Sequence, residues 1–165
     1  MRKILLLLLL IPLMSFGQTA EEYYKKGRSY YDLKQYYNSL SDFDKAIELN
    51  PNYKLAYFYR GYSKDELEDY YGALADYTKY IELDPDDPGA YVNRGLAKAK
   101  LEDYYGAISD YNKAIELDPD KTKAYVNRGI AKEFLKDLSG ACLDWKKAAS
   151  LGHTNAAKWV ANQCN

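Results

Sequence analysis

Apolar and small residues recur along most of this chain at intervals of three and four, as in Tyr70, Ala73, Leu74, Tyr77 and Ile81. That is the spacing of one face of an α-helix. The helical pattern breaks twice per cycle. One break is a polar kink such as LEDYYG, and the other is an LDP segment, where proline disfavours helix for the residue before it. Each cycle therefore predicts two helices of about a dozen residues joined by tight turns. The cycle is a true repeat of 34 residues: YGALADYTKYIELDPD at 71–86 returns as YGAISDYNKAIELDPD at 105–120, and AYVNRG at 90–95 returns at 124–129.

In register, the repeats form columns: aromatic Tyr23, Tyr57, Tyr91 and Tyr125; Gly27, Gly61, Gly95 and Gly129; small Ser39, Ala73, Ala107 and Ala141; aromatic Phe43, Tyr77, Tyr111 and Trp145. Leu33, Leu67, Leu101 and Leu135 mark the kink, and Pro51, Pro85 and Pro119 mark the second break, with His153 in the fourth place. The units run 20–53, 54–87, 88–121 and 122–155. Glycine and small columns let two helices approach closely, and aromatic columns interlock neighbouring units. Residues 156–165 repeat the helical pattern once more, with Trp159 in the first aromatic column. They predict a single closing helix over the last exposed face, as terminal caps do in stacked arrays.

On these columns the chain resembles the tetratricopeptide repeat family, whose 34-residue helix-turn-helix unit carries aromatic, Gly, Ala, aromatic, Ala and Pro signposts. The match covers residues 20–155. It implies an all-α, right-handed α-solenoid of four units plus a C-terminal capping helix, with a concave face formed by the first helix of each unit. It also implies a scaffold that holds another protein or peptide in that concavity. The chain departs from the family where Lys26, Arg60, Arg94 and Arg128 precede the glycines in place of leucine, where Tyr80 replaces a small residue, and where His153 replaces proline. The first departure predicts intra-repeat ion pairs, Lys26 with Asp42, Arg60 with Asp76, Arg94 with Asp110 and Arg128 with Asp144, since an unpaired charge between helices is expensive. The second predicts looser packing beside the second unit. The two-carboxylate clamp of chaperone-binding members is matched only at Asn93 and Lys123, so that specificity is not carried over.

The resemblance places the partner-binding candidates on the first helices: Tyr24, Phe58, Val92 and Val126; then Lys25, Tyr59, Asn93 and Asn127; then Arg28 and Tyr62. Such a surface suits an apolar side chain inserted near Phe58 and Tyr59, with Asn93 and Asn127 bonding the backbone of an extended segment. The competing structural reading uses Tyr62, Leu96 and Ile130 in contacts between units and packs Phe58 under Tyr24.

Composition narrows the chemistry. The chain has 19 Tyr, and the repeat columns absorb much of that bias. Lys+Arg 23 against Asp+Glu 24 gives a net charge of −1, which offers no broad cationic field for a nucleic acid backbone. One His and two Cys leave too few groups for a zinc site or a familiar catalytic triad, and no cofactor motif is present, so an enzyme is not expected. The segment DPDDPG at 84–89 fails the calcium-loop template, because Pro88 and Gly95 stand where oxygen ligands are required.

Residues 1–17 place Arg2 and Lys3 before an apolar run from Ile4 to Met14, with Ser15 and Gly17 beyond, the layout of a secretory signal peptide cleaved before Gln18. The run is short of the roughly 20 residues that span a bilayer. An exported protein without a membrane span after cleavage is expected, periplasmic or secreted, binding another protein or associating with itself. In an oxidising compartment Cys142 and Cys164, equidistant from His153, are expected to face each other and bond. The same positions in earlier units are apolar, so two small core residues are the alternative.

Overall fold

The computed structural model describes residues 18–164; the expected leader at 1–17 lies outside them. Nine α-helices occupy the described residues: α1 (Ala20–Asp32), α2 (Tyr36–Leu49), α3 (Lys54–Glu66), α4 (Tyr70–Leu83), α5 (Pro88–Lys100), α6 (Tyr104–Leu117), α7 (Thr122–Phe134), α8 (Leu138–Ser150) and α9 (Thr154–Gln163). Each packs mainly on its sequence neighbours, so the fold is an all-α stack of hairpins. Beyond those neighbours, α1 also touches α3 and α5 touches α7. The odd-numbered helices thus form the crowded inner layer and the even-numbered ones the outer layer.

The turns explain the kinks. After each first helix the residue at Lys34, Glu68, Glu102 or Lys136 has φ between 59° and 67°, the left-handed conformation that ends helices. The next helix is started by Asp69, Asp103 or Asp137, whose carboxylate accepts from the backbone N–H of Gly72, Gly106 or Gly140. DPDDPG is likewise a helix start: Asp87 caps α5 at Gly89, and Pro88 takes the first helical position.

The aromatic and proline columns act together. Tyr57, Tyr91 and Tyr125 donate their hydroxyls to the carbonyl oxygens of Pro51, Pro85 and Pro119 at 3.1, 3.1 and 3.2 Å, tying each unit to the turn before it. In the last instance both members change. His153 replaces the proline and Trp159 the tyrosine, with ring centroids 6.1 Å apart. The His153 imidazole also accepts the Ala156 N–H. It is therefore a helix cap rather than a solvated turn residue, and it starts α9 at Thr154, two residues before the boundary expected from the pattern.

The core follows the glycine column. Phe43, Tyr77, Tyr111 and Trp145 are at most 1 % exposed, and each lies on the glycine of its own hairpin. The looser packing expected around Tyr80 is not found. Its ring is 5 % exposed and 4.7 Å from that of Phe58, and its hydroxyl bonds Asp87 at 3.1 Å. The large residue is accommodated because Phe58 and Tyr80 fill jointly what aliphatic and small residues fill in the next unit.

Candidate functional site on the inner helices

The charged column knits each hairpin together. Asp76, Asp110 and Asp144 are 2–3 % exposed. Each receives an arginine from the first helix, Arg60, Arg94 or Arg128, at 2.5, 2.6 and 2.5 Å. Each also receives a lysine one turn further on, Lys64, Lys98 or Lys132, at 2.8 Å. The lysine partners were legible as a 34-residue column but draw no notice until the hairpin closes. In the first unit Tyr30 holds the lysine's place, so among the described residues Asp42 has Lys26 alone, at 3.0 Å. Burial works against the charge of Arg60, yet Asp76 and Asp44 together hold its guanidinium above the ordinary arginine range. The charges of this column are spent inside the hairpins.

On the inner layer the first two units form one aromatic surface. The Tyr24 ring lies 5.9 Å from Tyr59, which lies 5.5 Å from Phe58, which lies 4.8 Å from Tyr62. Tyr31 joins at 6.0 Å from Tyr59 and 6.1 Å from Tyr62. The guanidinium of Arg28 covers the Tyr59 ring at 3.8 Å and pairs with Asp32 at 3.2 Å. Burial, aided by the charge of Glu66, pushes the Tyr31 hydroxyl up to about 12. The cluster is uncharged apart from Arg28 and has half-buried rings, a surface able to take apolar and cationic groups by ring contact.

The expected site residues divide. Tyr24, Arg28, Phe58, Tyr59 and Tyr62 come together as this surface. Lys25 points away, exposed and paired with Glu21 at 2.7 Å. Val92 and Val126 are 2 % and 8 % exposed and present no face to a partner, because each is enclosed in a core cluster between helices. Phe58 does not pack under Tyr24; its neighbours are Tyr59, Tyr62, Tyr77 and Tyr80. Asn93 donates to the Tyr62 hydroxyl at 3.0 Å, so its amide supports the aromatic surface rather than waiting for a backbone. Asn127, one repeat later, has no such partner among the described residues.

Asn127 opens instead onto a cavity of about 360 Å³ between the third and fourth units. Its walls are Leu96 and Ala99 of α5, Tyr104 and Tyr111 of α6, and Ile130 and Phe134 of α7, with Lys100 at the rim. Phe134 is 58 % exposed and stacks on Tyr104 at 4.8 Å, the counterpart of Lys100 over Tyr70 at 5.9 Å one unit earlier. Sequence reasoning missed this cavity, although the smaller Leu96 and Ala99 in the columns of Tyr62 and Asp65 were its signal.

Away from the inner face, Cys142 and Cys164 are joined, with Cα atoms 5.6 Å apart, and link α8 to the end of α9. Among the described residues no group of three or more His, Cys, Asp or Glu side chains is placed to hold a metal, and no helix is long and apolar enough to cross a membrane.

Comparison with known proteins agrees with this architecture. Tetratricopeptide repeat models match residues 20–53, 55–87 and 88–121. The fourth hairpin is outside those matches. No curated protein matches the sequence. Among solved structures, MamA from Desulfovibrio magneticus RS-1 is 27% identical, with a TM-score of 0.77 over 80% of this chain and 75% of that one. The Arabidopsis OM64 TPR domain is 28% identical, with a TM-score of 0.67 over 70% of this chain and 96% of its own. The first TPR of Spaghetti (RPAP3), bound to the HSP90 peptide SRMEEVD, shares the fold at 23% identity and a TM-score of 0.69, over 72% and 94%. With its hairpins, glycine-on-aromatic packing and matched repeats in hand, the chain belongs to the tetratricopeptide repeat family.

Proposed function

We propose that this protein is an exported scaffold that holds a segment of another protein against its inner helices. The observation that carries the reading is the continuous ring surface from Tyr24 to Tyr62, running on the same layer toward an open apolar cavity beside Asn127. A surface of half-buried aromatics on the same layer as an apolar pocket is where binding energy concentrates. The structural likeness to a TPR domain with a bound peptide supports recognition as the activity. Export rests on the pattern of residues 1–17 alone. A second reading, self-association, draws on Tyr37, Tyr71 and Tyr105, a ladder on the outer layer that is 76–78 % exposed and could enter the groove of another copy.

A photoreactive side chain placed at Arg28 or Asn127, compared with one at Leu143 on the outer layer, tests the proposal in the native envelope fraction. Adducts with another protein from the two inner positions are expected. Adducts from Leu143 alone would refute it, and adducts of twice the protein's own mass would select self-association.

A further inference from the structure

The second and third junctions of the array are built from the same columns, and one of them contains a side chain that the other lacks. Between α3, α4 and α5, the Tyr62 ring lies 5.9 Å from Tyr77, and its hydroxyl accepts from the Asn93 amide at 3.0 Å. One repeat later Tyr77 becomes Tyr111 and Asn93 becomes Asn127, but Tyr62 becomes Leu96 and Asp65 becomes Ala99. The space the phenol occupied is now the cavity of about 360 Å³, and the amide that held the hydroxyl lines it. Pockets of this size with one placed polar group are of the kind that take a single recognised side chain.

We propose that this cavity receives a tyrosine from a partner protein, its ring on Tyr111 and its hydroxyl accepting from the Asn127 amide, as Tyr62 does on Tyr77 and Asn93. The proposal rests on the scaffold reading and names what that scaffold recognises. Charge adds a second specification. Lys100 at the rim is exposed, lies over the Tyr70 ring and makes no ion pair among the described residues; Asp65 is the acid that feels its field. A tyrosine with acidic residues beside it would give that ammonium a partner. Phe134, exposed and stacked on Tyr104, forms the wall that would close on the incoming ring.

Blocked hexapeptides carrying two acids followed by tyrosine, phenylalanine or alanine serve as probes. Titrated into the protein, the tyrosine peptide should shift the Asn127 side-chain amide resonances. The phenylalanine peptide should bind roughly 2- to 10-fold more weakly, the worth of one hydrogen bond, and the alanine peptide should not bind. The variant Leu96→Tyr restores the residue that the second unit carries. It should fold, melt at a higher temperature by filling its own cavity, and lose peptide binding. Equal binding of all three peptides, or peptide binding to Leu96→Tyr as tight as to the parent, would overturn the inference. Self-association abolished by Leu96→Tyr would overturn the choice of a foreign segment in favour of a second copy. If inner-layer crosslinks to a partner persist undiminished in Leu96→Tyr, this inference fails while the scaffold reading stands.

Discussion

At the scale of single residues, two positions show how closely the hairpins are fitted. A Cβ added at Gly95 would lie 2.6 Å from Cε1 of Tyr111, a ring 1 % exposed that could yield only toward the cavity it lines. Gly95→Ala should therefore cost about 1–3 kcal/mol by overpacking, read as a lower melting temperature with the helical signal retained at 20 °C. A melting temperature at or above the parent's would mean the ring moves freely. Asp65 is the opposite case, since its Oδ1 is buried without a hydrogen-bond partner. Burial first, then the charge of Glu66, raises its carboxyl above the ordinary range, against a lowering by Lys100. A carboxyl whose pKa is higher folded than unfolded weighs against the folded state when ionised, and that penalty fades as pH falls through the folded value. Asp65→Ala, the residue found at Ala99, should thus stabilise the protein at neutral pH by on the order of 1 kcal/mol, with a smaller gain in acid. A gain that does not depend on pH would assign it to helix propensity instead.

At the scale of elements, α9 packs mainly on α8, and its hold on the array is specific. Ala156 is fully buried, Trp159 lies 5.4 Å from Trp145, His153 caps its start and the bond to Cys142 secures its end. The bond closes a loop of 22 residues, worth about 3 kcal/mol in the chain-entropy model. Reduction should lower the melting temperature and shift tryptophan emission to the red, as Trp145 gains water. Two free thiols by mass spectrometry in native protein, or identical melting with and without reductant, would show that the bond is not formed or not used.

At the scale of the whole molecule, the inner and outer layers differ in what they leave unsatisfied. Inside the hairpins Asp76, Asp110 and Asp144 are paired and the column glycines covered, whereas the inner layer keeps an aromatic surface and an open cavity. The scaffold reading draws its compartment from residues 1–17. Their removal would take Arg2 and Lys3 and no acid from a chain of net charge −1, leaving it more acidic. Intact mass of exported material should begin at Gln18. A mass that retains Met1, with the protein held in the membrane, would overturn export of a free scaffold.

The periodic sequence by itself determined the fold class, because each 34-residue unit states its hairpin locally: helical spacing, a polar kink, proline, and a glycine opposite a ring. The pairing of Arg94 with Asp110 was readable for the same reason, since a short antiparallel hairpin places residues equidistant from its turn side by side. Contacts between units were not readable in this way. Whether Val92 faces a partner or the core, whether Phe58 meets Tyr24 or Tyr80, and whether Asn93 is spent while Asn127 is free all depend on how one unit is rotated against the next. That rotation is settled by side chains on three helices at once. Exchanging Tyr62 for Leu96 is a modest change in one column, and only the stacking of α5, α6 and α7 turns it into a cavity, because only there does the missing ring have no other atoms to replace it.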